Sequence, residues 1–126
     1  ASNITDLKSI LDTKAAMKGK PVIVSLAVSL PMVMSEFEKD ADGILAGFGL
    51  QAQAMLEIIS GAAEPSGLLP LQMPADMKTV ELQKEDVPHD MQPYKDSQGH
   101  SYDFGYGMNW KGVINDSRTA KYAKKK

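Results

Sequence analysis

The 126-residue chain has no cysteine, which excludes disulfide bonds and thiolate chemistry and leaves the cellular compartment open. Histidine is scarce. His89 and His100 are the only two, and neither belongs to an H-x-x-x-H or comparable ligand spacing, so no metal is expected and no other cofactor. An excess of one charge is missing as well: 14 Lys and Arg stand against 16 Asp and Glu, a formal net charge of −2. No field of one sign therefore favours nucleic acid or an anionic membrane surface as a partner. The one basic cluster, RTAKYAKKK over residues 118–126, reads as a solvated, disordered tail. Also lacking is an apolar run long enough to cross a bilayer, because VIVSLAVSLPMVM, from Val22 to Met34, is too short and is interrupted by Pro31. The opening ASNITDL has no initiating Met, basic n-region or apolar h-region, as expected of a processed or truncated start.

What is present is ordinary for a folded domain. With 43% hydrophobic and 24% charged residues, the chain is expected to build one core. Ser2 or Asn3 can cap a helix over about residues 4–17, whose apolar positions Ile4, Leu7, Ile10, Leu11, Ala15 and Met17 fall near one stripe. Gly19 suits a left-handed stop after it. VIVSLAV, short and nearly continuously apolar, reads as a central strand covered on both faces. The acidic SEFEKDAD that follows reads as exposed, GILAGF as a second strand, and LQAQAMLEII as a second helix stopped by Gly61. The order of these elements predicts an α/β layer architecture with a mainly parallel sheet. Residues 62–110 hold most of the prolines and glycines and one further strand, in KTVELQ.

Several motifs invite chemistry, each with a plainer reading. Gly47-Phe48-Gly49-Leu50-Gln51-Ala52 matches G-x-G-x-x-A between strand and helix, where a pyrophosphate would meet helix N–H groups. The acidic residue needed about 20 positions on is not well placed, since Glu64 comes early and in a turn; a close-packed turn accounts for the glycines. Glu36, Glu38, Asp40 and Asp42 offer paired carboxyls but no set separation or apolar surroundings, and read as a solvated face. His89-Asp90 could form a base with an orienting partner, although both histidines read as loop residues. Tyr102, Phe104, Tyr106 and Trp110, interleaved with Gly105 and Gly107, suit either stacking on sugars or plugging a core edge. Asn3-Ile4-Thr5 and Asn115-Asp116-Ser117 satisfy the glycosylation sequon.

Taken in order, the segments resemble the second, α/β sandwich domain of family three glycoside hydrolases, the β-glucosidase and β-xylosidase group. Lys20-Pro21-Val22-Ile23-Val24-Ser25-Leu26 is similar to that domain's KPVVVVL strand, and Asp42 to Gly49 to its DAILAAWxPG strand and turn. Gly61 with Pro65-Ser66-Gly67-Leu68-Leu69-Pro70 resembles the fGdxnPSGrLPxtfP signature, with Pro74 as its last proline. Tyr102-Asp103-Phe104-Gly105-Tyr106-Gly107-Met108-Asn109-Trp110 is similar to YPFGYGLSY. The likeness spans about residues 20–114. Leu68 departs from the Arg or Lys usual there, and Leu50-Gln51-Ala52-Gln53 from the usual glycines.

The resemblance implies a domain over residues 1–117, a partial layered α/β sandwich with a long, loop-rich C-terminal excursion, followed by the 118–126 tail. It implies a parent that hydrolyses β-glucosides or β-xylosides with retention, using two carboxyls about 5 Å apart. Neither can be mapped onto this chain, because the nucleophile lies in a separate barrel domain and the acid/base glutamate precedes the KPVVVVL strand. No catalytic, cofactor-binding or metal-binding residue is therefore expected here, and the chain alone should be inactive. The alternative is a stand-alone carbohydrate-binding or protein-interaction module. Expected partners are the barrel domain, the parent's carbohydrate substrate and a second copy of the chain, joined through Val22–Val28 or an exchanged N-terminal helix. A periplasmic or secreted parent fits the resemblance. Phe104 and Tyr106 are expected to bury against the sheet, and Gly67 to occupy the positive-φ position of a type II turn.

Overall fold

The first helix, α1, runs Ile4–Ala16 and ends where expected, with Lys18 at φ 48° and Gly19 at φ 85°. A left-handed pair of this kind closes the last helical turn, and glycine enters that region without a Cβ penalty. The structure, a computed structural model, describes residues 4–84, 86–87 and 89–122, so the expected caps Ser2 and Asn3 and the sequon at Asn3 lie outside the described residues. Only part of the α1 stripe is used: Leu7 and Ile10 pack on the core, whereas Ile4 and Leu11 stay exposed.

Strand β1 (Ile23–Ala27) pairs in parallel with β2 (Gly43–Gly47), in register from Ile23 opposite Gly43 to Ala27 opposite Gly47. Asp42 fastens the start of this ladder. Its N–H donates to the Val22 carbonyl at 2.8 Å, and its carboxylate accepts from the Val22 N–H at 2.8 Å and the Lys14 ammonium at 2.6 Å. The alternation of a pleated strand then sorts the side chains. Val22, Val24 and Val28 point into the core, while Ile23, Ser25 and Ala27 are exposed. This corrects the expectation of a strand covered on both faces. The core cluster of Val24, Val28, Met34, Phe37 and Met73 lies on one side, with Leu26, Ile44 and Ala46 packed against it.

Helix α2 occupies Ala52–Ile59, and Gly61 at φ 79° follows it. A Cβ at Gly47 would stand 3.3 Å from the Met55 methyl, so the strand-to-helix turn is close-packed there. The segment read as a strand in KTVELQ is instead a helix, α3 (Met77–Leu82). Asp76 explains the correction: its carboxylate accepts from the Thr79 N–H at 2.7 Å and the Thr79 hydroxyl at 2.8 Å, which satisfies a donor that a helix start leaves orphaned. The expected exposure of SEFEKDAD holds only in part. Phe37 is buried, and a single 3₁₀ turn spans Glu38–Asp40.

Between and after these helices, three stretches of chain lie side by side. Leu69 N–H donates to the Tyr106 carbonyl and Gly105 N–H to the Leu69 carbonyl; Met73 N–H donates to Tyr102, Tyr94 N–H to Met73, and Tyr102 N–H to Tyr94. Isolated bridges join Pro74 to Pro93 and Lys95 to Ser101. Prolines cannot donate to a ladder, so the contacts stay broken instead of becoming full strands. Met73, 1% exposed, anchors this weave to the core. A short antiparallel hairpin not foreseen from the sequence, β3 (Met108–Asn109) with β4 (Gly112–Val113), turns at Trp110 and Lys111. Helices with a small parallel sheet make this an α/β domain.

The start of the basic tail packs back on the body. The Arg118 guanidinium donates to the Ser66 carbonyl at 2.7 Å, Asp116 holds Arg118 in place, and the Tyr122 ring lies 6.5 Å from that of Phe104 at an interplanar angle of 15°. Residues 123–126 lie outside the described residues. No helix among the described residues is long and apolar enough to cross a membrane.

Candidate functional site

The richest concentration of polar and aromatic side chains lies where the weave meets the core. Asp96 organises its tip: its carboxylate accepts from the N–H groups of Gln98 and His100, each at 2.9 Å, and faces His100 Nδ1 at 2.9 Å. Burial pushes the Asp96 carboxyl up, but the hydrogen bonds from His100 and Gln98 outweigh it and hold the group below the usual carboxylate range. From His100 an aromatic ladder descends. The imidazole stacks on Tyr106 at 5.9 Å, Tyr106 stacks on Tyr102 at 5.1 Å, and Tyr102 meets Tyr94 edge-on at 5.3 Å. The Tyr94 hydroxyl donates to Glu38 at 2.9 Å. Burial, then the bond to Glu38, pushes the Tyr94 phenol up to about 12. Burial likewise raises Tyr106 to about 12 and Tyr102 further.

Phe104 leaves this ladder. In a regular strand residues 102, 104 and 106 would share a face. Here the Tyr106 N–H donates to the Asp103 carbonyl and Gly105 sits at φ 80°, so the chain turns and sends Phe104 the other way. Its ring meets His89 edge-on at 5.0 Å and stacks with Tyr122. Phe104 and Tyr106 are thus half-buried among aromatic neighbours, in contrast to the expected burial against the sheet. The two glycines of this segment are needed for contact: a Cβ at Gly105 would fall 2.3 Å from the Tyr122 ring, and one at Gly107 would fall 2.1 Å from the Gly67 carbonyl oxygen. Gly67 itself does not have positive φ and has open space at its Cβ position, which corrects the expected type II turn.

The acidic cluster is dispersed among structural duties. Glu38 accepts from Tyr94, Asp42 from Lys14 and Val22, and the lysine and the Val22 N–H hold the Asp42 carboxyl below the usual range. Glu36 is exposed. His89 and Asp90 do not form the unit that adjacency suggests, since Asp90 accepts from the Lys84 N–H at 2.7 Å while His89 packs on Phe104. The imidazole–carboxylate pair is His100 with Asp96, which sequence reasoning missed; the signal available was an Asp four residues ahead of a His across the turn residues Ser97, Gln98 and Gly99. Glu64, weighed as a ribose ligand, faces the Trp110 N–H at 3.4 Å. Among the described residues no group of three or more His, Asp or Glu could hold a metal ion.

What the arrangement does chemically is tie backbone segments together. The faces of Tyr102 and Tyr106 are taken by one another and by His100, Asp103 accepts from the buried Gln72 at 2.7 Å, and Trp110, 62% exposed, is the exposed aromatic of the segment from Tyr102 to Trp110. Fold and site together define an α/β domain with a scaffold-like aromatic closure.

Comparison with known proteins names the family. The model of the glycosyl hydrolase family 3 C-terminal domain matches residues 2–110. β-Glucosidase C of Emericella nidulans is 33% identical over 90 residues, 71% of this chain and 14% of the relative. Probable β-glucosidase C of Aspergillus flavus is 32% identical over 104 residues, 79% of this chain and 16% of the relative. The periplasmic β-glucosidase/β-xylosidase of Dickeya chrysanthemi is 25% identical over 88 residues, 70% and 12%. No solved structure matches. The chain belongs to family three of the glycoside hydrolases through their C-terminal domain, and spans 12–16% of the length of these relatives.

Proposed function

We propose that this chain is a scaffold segment of a β-glucosidase-like glycoside hydrolase whose catalytic carboxyls lie outside it. The observation that carries the reading is the commitment of the carboxylates around its aromatic segment and its parallel ladder. Glu38, Asp42, Asp96 and Asp103 each bind a phenol, an ammonium, an imidazole, an amide or a backbone N–H of the fold. Retaining hydrolysis instead needs two carboxyls about 5 Å apart, free to face an anomeric carbon and a leaving oxygen. In this reading residues 1–117 form the domain, a layered sandwich whose loop-rich excursion over residues 62–110 closes on the aromatic ladder, and residues 118–126 append to it. The partners are the barrel domain that carries the nucleophile, a β-linked glucoside or xyloside held mainly by that barrel, and, for the chain by itself, a second copy.

The pure 126-residue chain is expected to release no aryl leaving group from β-glucosides or β-xylosides. Turnover abolished by Glu36→Gln or Glu38→Gln would overturn the reading. The coding sequence upstream of Ala1 gives an independent check, with a barrel bearing an aspartate nucleophile expected and a start codon immediately before Ala1 counting against it. A carbohydrate-binding module built on the aromatic segment is disfavoured by the stacked faces of Tyr102 and Tyr106.

A further inference from the structure

We propose that residues 116–122 are a clasp that seats across the seam between the Pro-Ser-Gly turn and the aromatic segment, and opens ahead of the rest of the fold. The seam itself is narrow. Leu69 N–H donates to the Tyr106 carbonyl, Gly105 N–H donates to the Leu69 carbonyl, and Gly107 packs against the backbone of Gly67. The clasp grips one side of this seam at each of its ends. On the turn side, Arg118 Nη1 donates to the Ser66 carbonyl at 2.7 Å. On the aromatic side, the Tyr122 ring lies beside the ring of Phe104 and against the backbone of Gly105, where a Cβ would fall 2.3 Å from it. Only a residue without a Cβ leaves that seat open.

The segment is shaped to reach this seat and is held there lightly. Its root is Ile114, 6% exposed, whose N–H donates to the Gly107 carbonyl at 2.9 Å. Past the root the chain closes on itself: the Asp116 carboxylate accepts from the Arg118 N–H at 2.9 Å and from Arg118 Nη2 at 2.8 Å, and the Thr119 N–H donates to the Asp116 carbonyl at 3.1 Å. That turn sets one edge of the guanidinium on Asp116 and leaves Nη1 for Ser66. A 3₁₀ turn over Ala120–Tyr122 then carries the ring back to Gly105. Among the described residues, no backbone hydrogen bond joins residues 116–122 to the rest of the chain. Their hydrogen-bond and ring contacts to the body come from the side chains of Arg118, 48% exposed, and Tyr122, 38% exposed. Exposed charged contacts contribute little, and a segment with few buried contacts opens locally without global unfolding. Release breaks no hydrogen bond of the weave, and it uncovers one face of Phe104 and the Ser66 carbonyl.

The clasp goes beyond the scaffold reading and fails separately from it, since hydrolysis by the pure chain would leave it untouched. The test is amide exchange of the 126-residue chain, resolved by residue. An isolated turn of this length does not persist in water, so the Thr119 and Ala120 amides report whether the clasp is seated. Both are expected to be protected, yet to exchange before the amides of Leu69, Met73 and Tyr102. Tyr122→Ala and Arg118→Ala are each expected to speed their exchange about fivefold or more, the factor for losing one aromatic or charge-assisted contact, and to leave Met73 and Tyr102 unchanged. Tyr122→Phe, which keeps the ring, should behave as the unmutated chain does. Cleavage after Arg118 by a trypsin-class protease needs the guanidinium withdrawn from Asp116 and Ser66, and should accelerate by the same factor in Tyr122→Ala. Free exchange of Thr119 and Ala120 in the unmutated chain overturns the proposal, as does their exchange in step with Met73. So does an unchanged rate in Tyr122→Ala. The order of exchange in the unmutated chain decides even if a variant fails to fold.

Discussion

Gly107 is the residue at which the absence of a side chain decides the packing. Its Cβ position lies 2.1 Å from the Gly67 carbonyl oxygen, a backbone atom held close by the Leu69 to Tyr106 hydrogen bond and unable to swing aside as a flexible side chain could. Gly107→Ala must therefore push the two segments apart, and is expected to cost about 1–3 kcal/mol, the usual range for overpacking. Gly67→Ala meets open space without positive φ and should change stability by no more than about 0.5 kcal/mol. Chemical denaturation of the two variants checks the contrast, and equal effects would refute it. The sequence points to Gly67 because Pro-Ser-Gly is a local turn signal. The true constraint is a contact between positions 40 apart in sequence, and nothing local records it.

At the scale of elements, α3 shows how a single capping residue overrides a β-branched run. Removing the acceptor in Asp76→Ala leaves the Thr79 N–H unsatisfied, and the expected loss is about 1 kcal/mol, read from the unfolding midpoint. Asp76→Asn, which keeps an acceptor, should recover most of it; equal losses would show that the cap does not hold α3. The contrast also explains what was legible. Helix α1, strands β1 and β2 and helix α2 follow from apolar periodicity and from glycines at their ends, all local features, and the structure reproduces them within a few residues. Exposure of the Ile23 face was not legible, because alternation fixes which residues share a face but not whether anything covers it. The candidate site divides in the same way. The aromatic segment stands out in sequence, whereas the partition of Phe104 toward His89 and Tyr122 and of Tyr106 toward His100 depends on the turn at Gly105. Adjacency favours Asp90 with His89, but His89 sits in a turn at φ 62° and packs on Phe104 while Asp90 accepts from the Lys84 N–H, and the Asp96–His100 pair forms across a turn that adjacency does not mark.

The whole molecule carries opposed sets of titrating groups, and their signs define a stability plateau. The carboxyls of Asp42, Asp76, Asp96 and Asp116 are all held below their ordinary value. Lys14 does this for Asp42, the Thr79 N–H for Asp76 and the Arg118 guanidinium for Asp116; at Asp96 burial works in the other direction and the His100 and Gln98 bonds prevail. A group depressed in the folded state contributes stability that is complete above its unfolded value, about 3.9 for Asp, and is lost as pH falls through the folded value. The phenols act at the other end. Burial pushes Tyr94 and Tyr106 up to about 12 and Tyr102 further. The unfolded chain therefore ionises first, near pH 10, and stability declines as pH rises from there toward the folded values. The unfolding midpoint is expected to stay level between about pH 5 and 9, to fall below about pH 4, and to fall again above about pH 10. Asp116→Asn should shallow the acid limb alone and Tyr102→Phe the alkaline limb alone, since each removes one member of one set. Thermal unfolding across this range decides the matter: a midpoint that rises on acidification below pH 4 would mean that these carboxylates do not hold the fold in the way their hydrogen bonds indicate.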